Sequence, residues 1–274
     1  MTVKENHSLE SLVKHLDSLL STLPTNYDLS KFSETKLKAI RIKLANYSSV
    51  LLKISRNLDK IKHPQVIFDP SDPRVVGKLI GLTLIEQPRI SMTAVTPFYG
   101  SGIYAIYYKG NFKAYRPISE TNNPIYVGKA DPQVLDAKTP QEQGDKLYGR
   151  FAKDHAKSIM SASNIDIADF DCRYLVVKSA WQKTAEDYLI DIFKPIWNNE
   201  MGICYGFGKH GDSHLTRGNT RSPWDTLHPG RLWATSEGNK PNPKSPAEIS
   251  AEIAEHFKKY PPVDISTLAI SFST

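Results

Sequence analysis

Apolar residues recur through the first sixty positions at a spacing that alternates three and four. Leu9, Leu12, Leu16, Leu19 and Leu23 form one row, and Ser8 is placed to cap it. A connection with Pro24, Asn26 and Asp28 follows. Ser33 then opens a longer row, Leu37, Ile40, Leu44, Tyr47, Leu51, Ile54, Leu58 and Ile61, which Pro64 stops. The pattern predicts a helical hairpin over residues 1–64. Its second helix would be about 43 Å long and carry a coiled-coil seam. Such a hairpin has little core of its own, so it is expected to associate with a second copy.

Beyond it the period changes. Asp72-Pro73 opens a short helix to about Glu86, with Val75, Val76, Leu79, Ile80 and Leu84 apolar. Two runs rich in aromatic and β-branched residues come next, Gly102–Tyr108 and Pro124–Lys129. The polar connection between them holds Gly110, Asn111 and Pro117, and the runs read as paired antiparallel strands. That pairing would bring Tyr104 and Tyr126 near each other on one face. A helix is expected from about Asp145 to Ser161, a strand from Phe170 to Lys178 and a helix from about Ala180 to Phe193, ended by Pro195. Gly202 to Pro229 is polar and glycine-rich and reads as a long loop. Ser245-Pro246-Ala247-Glu248 has the form of a capping box with proline at the first helical position. It opens a last helix with Ile249, Ile253 and Phe257 on its apolar face. The predicted architecture is α+β, a small sheet flanked by helices. Its parts are residues 1–64, 65–236 and a C-terminal helix and tail, 237–274.

Charge sharpens this picture. The formal charge of the whole chain is +6, and residues 31–62 alone carry nine Lys or Arg against two acids, a net +7. The remainder is near neutral. The balance favours a polyanionic partner. The two cysteines, Cys172 and Cys204, have no CxxC spacing, which excludes a disulfide framework or zinc ribbon. No signal-peptide pattern and no apolar run of span length is present, so a cytoplasmic protein with no membrane partner is expected. Gly128-Lys129 lacks the remaining residues of a phosphate-binding P-loop.

The two strands carry Gly102-Ile103-Tyr104 and Tyr126-Val127-Gly128, and Arg150, His155, Glu186 and Asn198 follow in order. This constellation resembles the GIY-YIG nucleases. The segments Thr184-Ala185-Glu186, Lys194-Pro195-Ile196-Trp197-Asn198, Gly206-Phe207-Gly208 and Trp224-Asp225 through Ala234 are similar to the bacterial type II restriction endonucleases of that family that cut CCGCGG. The similarity runs from about Pro73 to Ala234. It implies a GIY-YIG nuclease fold, duplex DNA as substrate and one Mg²⁺ ion per active site. It also implies a homo-oligomer, dimer or tetramer, and a cognate DNA methyltransferase in the same system.

The chemistry fits those residue types. Glu186 is a hard oxygen ligand for Mg²⁺. The fork of Arg150 suits a phosphate. Tyr104, Tyr126 and His155 are proton carriers, with Tyr104 expected as the base, and Asn198 offers a donor and an acceptor. Lys129 is expected at phosphate. Lys209, His210, Arg217 and Arg221 are candidates for DNA contacts, since arginine to guanine is the commonest base contact. Arg231 sits among Trp224, Pro229 and Trp233, which points to packing. Arg150 and His155 lie five apart rather than the family's four, about 140° out of line on a regular helix; a π-bulge would realign them. Two rival readings are a repair or structure-specific nuclease of the same family and a non-catalytic DNA-binding module. Retention of both tyrosines, the arginine and the glutamate argues against the second.

Overall fold

The computed structural model describes all residues except 1, 2, 24, 25, 62, 63, 65, 66, 179, 209–219, 236–238 and 269–274. Two compact units are present, residues 1–67 and 68–274.

The first unit holds α1, Val3–Ser21, and α2, Glu34–Leu58. The first helix starts five residues before the expected cap at Ser8. Ser33 caps the second as expected, accepting from the Lys36 amide. No residue of α2 is buried, and Ile40, Leu44, Tyr47, Leu51 and Leu58 along its seam are exposed.

In the second unit, Asp72 caps α3, Pro73–Glu86, and Pro73 takes its first position. Four strands form one sheet: β1, Ile90–Ser91; β2, Gly102–Tyr108; β3, Tyr126–Ala130; β4, Phe170–Val176. Their order is β1-β4-β2-β3 and every pairing is antiparallel. The two apolar runs pair as anticipated, Tyr104 opposite Gly128 and Ile106 opposite Tyr126.

All seven residues of β2 are buried because both faces of the sheet are covered. Tyr104, Ile106 and Tyr108 face a core with Phe151, Ile159, Trp197, Trp224 and Ile249. Ile103, Ala105 and Tyr107 face Leu84 and Ile85 of α3 and Ala185, Leu189 and Phe193 of α7, Gln182–Phe193. Pro195 ends α7 one residue after Lys194, which caps it in the left-handed region.

Between these elements lie the short α4, Pro140–Gln143, and a helical run made of α5, Lys146–Tyr148, a π-helical segment, Gly149–His155, and α6, Ala156–Ser161. The expected long loop from 202 to 229 is broken by α8, Pro223–Leu227, which Ser222 caps. The last helix, α9, Pro246–Lys259, opens with the expected capping box. Ile249 and Ile253 enter the main core, so α9 belongs to the second unit.

Candidate active site

Tyr104 lies at the middle of β2, and Tyr126 begins β3 beside it, with ring centroids 6.1 Å apart. Gly128, across the ladder from Tyr104, has no room for a side chain. A Cβ there would meet the Tyr104 hydroxyl at 2.4 Å and Tyr126 Cε1 at 2.9 Å. The glycine of the second strand therefore lets the two phenols nest over the backbone.

The helical run supplies Arg150 and His155, and the segment holding both is π-helical. Hydrogen bonds from i to i+5 wind in one more residue per turn, which brings positions five apart toward one face. His155 Nε2 lies 2.6 Å from the Tyr104 hydroxyl, and its ring stacks on Phe207 at 4.5 Å. Phe207 is held from behind. Buried Arg231 makes a two-pronged ion pair with Asp225 at 2.6 and 2.8 Å. It also donates to the carbonyls of Gly206 and Phe207, between the rings of Trp224 and Trp233. The packing role expected of Arg231 is thus a clamp on the 206–207 backbone.

Two clefts meet at Tyr126, Arg150 and Glu186. The first, about 600 Å³, is walled by Lys129, Lys146 and Lys153 together with Asp131, Asp145 and Asp154. The second, about 1130 Å³, is bordered by Asn199, Glu200, Tyr205, Gly208, Arg221, Asn242 and Lys244. Lys129 is ion-paired with Asp131 and lies close enough to favour the ionised form of Glu186. Lys209, His210 and Arg217 lie outside the described residues. Arg221 borders the second cleft, its Nε donating to the Ala234 carbonyl at 3.1 Å.

Two expectations change at this site. Tyr104, expected as the base, is wholly buried and borders neither cleft, whereas Tyr126 borders both. Burial holds the Tyr104 phenol well above its ordinary pKa, and the neighbouring Tyr126 adds to this while Arg150 opposes it. Burial raises Tyr126 too, with Arg150 pulling the other way. Asn198 does not turn its amide to the site. It accepts from the Val127 amide at 2.9 Å and donates to the Val127 carbonyl at 2.8 Å, clipping the turn after α7 to β3. A second glutamate, Glu200, borders the same cleft, and its charge is felt by Glu186 and Tyr126. Glu200 had one signal in the sequence, its place two residues after the Trp-Asn pair.

Glu186 suits a hard cation. Its carboxylate opens on both clefts and is weakly neutralised, because Lys183 is 3.6 Å from it and 2.5 Å from Asp187. Burial raises its pKa; Lys183 and Lys129 lower it, and Asp187 and Glu200 raise it. A divalent ion would relieve both the burial and the repulsion.

Paired strand tyrosines, a helix arginine and a cleft glutamate are the features by which the sequence resembles the GIY-YIG nucleases, and the fold brings them together. Residues 96–257, more than half of the chain, match the family described as the Eco29kI GIY-YIG domain. The chain belongs to this family of restriction endonucleases, which makes it a DNA hydrolase. Comparison with curated proteins found no match. Among the described residues, no helix is long and apolar enough to cross a membrane.

Proposed function

We propose that the protein is a type II restriction endonuclease that cuts duplex DNA at a short G·C palindrome of the CCGCGG kind, with one Mg²⁺ per active site. The observation that carries this reading is the meeting of Tyr126, Arg150 and Glu186 where two clefts join. A scissile phosphate at that junction has the arginine to offset its charge and a phenol to orient the attacking water. Glu186 would hold the ion, which when bound supplies Lewis-acid stabilisation of the phosphate. Tyr126 faces the water and Arg150 favours its phenolate form. Tyr104 and His155 fix the inner wall behind it. Asn198 acts as a positioning residue, since its clip on Val127 holds β3 in register with the metal ligand.

The exposed seam of α2 supports self-association of the first unit. A palindromic site is matched by a two-fold assembly, and a second such surface would raise a dimer to a tetramer. A methyltransferase of the same specificity would protect the host. The test is Glu186→Ala with plasmid DNA. Wild type is expected to give discrete fragments in Mg²⁺, and the variant no cutting but retained gel-shift binding in Ca²⁺. Substantial cutting by the variant would defeat the single-glutamate site.

A further inference from the structure

The two clefts differ in chemistry. The first holds Lys129 and Lys153, ion-paired with Asp131 and Asp145, and Lys146, whose ammonium group has no ion pair among the described residues. Flexible point charges of that kind suit phosphates, which position a protein on DNA without reading it. In the second cleft the lysine is spoken for: Lys244 Nζ is 2.6 Å from Glu252. Beyond Arg150 and Glu186 at the junction, the charged groups left there are planar and directional, the Arg221 fork and the carboxylate of Glu200.

Both groups are held by their backbones. The Arg221 amide donates to the Lys240 carbonyl at 2.8 Å, and the Asn242 side chain donates to the Arg221 carbonyl at 2.8 Å. With Nε on Ala234, the fork is oriented, and among the described residues its two Nη groups have no hydrogen-bond partner. Glu200 sits on a single 3₁₀ turn, Asn199–Met201, directly after the Asn198 clip. It is exposed, and no ion pair to it is present among the described residues. A carboxylate in a DNA cleft is repelled by phosphates. The base edge it suits is one that donates, and the cytosine N4 amino group is the donor that acidic side chains take in the major groove.

We propose that the second cleft reads bases: Arg221 donates end-on through both Nη groups to O6 and N7 of a guanine, and Glu200 accepts from a cytosine N4 amino group. The inference rests on the nuclease reading above and adds to it which residues select the site.

The experiment first reads the recognised site from sequenced ends of plasmid fragments. Duplexes with each base pair of that site substituted singly are then bound in Ca²⁺ by wild type, Arg221→Ala, Glu200→Ala and Lys146→Ala. A second series replaces each guanine by 7-deazaguanine, which removes N7 and leaves the protein untouched. Wild type is expected to lose affinity for the deaza base at one guanine of each half-site, and Arg221→Ala to show no further loss there. Each of Arg221→Ala and Glu200→Ala should lose about 5- to 150-fold discrimination at a single base pair. Lys146→Ala should weaken all duplexes alike. Uniform weakening by Arg221→Ala or Glu200→Ala, or indifference of wild type to every deazaguanine, overturns the inference while leaving the nuclease reading in place. Wild type that neither binds nor cuts duplex DNA overturns both.

Discussion

His228 makes the second unit acid-sensitive in a calculable way. Its ring is wholly buried and its hydrogen bonds fix one neutral tautomer. The Asn164 amide nitrogen donates to the Leu227 carbonyl, so its oxygen faces His228 Nδ1 at 2.8 Å and accepts from it. Nε2 therefore accepts from the Tyr115 hydroxyl at 2.5 Å, and that hydroxyl accepts in turn from Trp197 Nε1. A second proton on the ring would force the Tyr115 hydroxyl to turn its own hydrogen away, and burial lowers the His228 pKa from 6.5 to about 3. The unfolded chain thus takes up the proton first. Stability from this group is complete above pH 6.5 and is lost as pH falls from there toward 3. One such group costs about 1.4 kcal/mol per pH unit inside that window, so acidifying from 6.5 to 5 removes about 2 kcal/mol. The figure does not depend on the folded value as long as that value stays well below 5. His228→Gln keeps polar atoms in place and removes the titration. All four tryptophans, at 181, 197, 224 and 233, belong to the second unit, and Trp224 lies 5.3 Å from the His228 ring. Urea unfolding followed by tryptophan fluorescence at pH 7, 6 and 5 measures the effect. Wild type is expected to lose about 2 kcal/mol more than the variant between the two ends. Equal slopes would mean that His228 is already protonated in the fold or exchanges protons within it, and the reasoning would fail.

Arg150→Lys is expected to cut almost as slowly as Arg150→Ala in single-turnover assays, because the charge survives and the fork does not; a lysine variant near wild type would assign the site a need for charge alone. Gly128→Ala should lower the cleavage rate by about 100-fold, since its methyl group would displace the two phenols of the site; near-normal turnover would show that their nesting is not needed. Removing residues 1–64 should lower the mass class seen by light scattering and leave the cut site unchanged. A deletion that leaves the mass unchanged would take self-association away from α2.

Periodicity carried most of the fold. The strand pairing, the Ser33 and Asp72 caps and the Ser245 capping box depend on local residue order, and each is where the spacing puts it. The five-residue gap between Arg150 and His155 even marked the π segment, because only an extra residue in the turn reconciles that gap with one face. What the sequence hid is tertiary. Nothing local says that Asn198 spends both ends of its amide on Val127, 71 positions earlier. Nor does it say that the tyrosine beside the clefts is Tyr126 and not Tyr104. That follows from the cover laid over β2 by Phe151 and His155 from another element. Helix α8 was missed because five residues set among glycines and prolines give too short a window for a 3.6-residue period.

The π segment makes helix length itself a variable in how Arg150 and His155 are set against each other. Deleting any one residue between Gly149 and His155 would let the run from Lys146 to Ser161 relax into ordinary α-helical registry. It would also turn the residues on either side of the deletion out of step, Leu147 and Phe151 against Ile159 in the core as well as Arg150 against His155. In this stretch a single-codon deletion is therefore a more searching mutation than most substitutions, and surviving lineages are expected to conserve the count of residues more strictly than their identity.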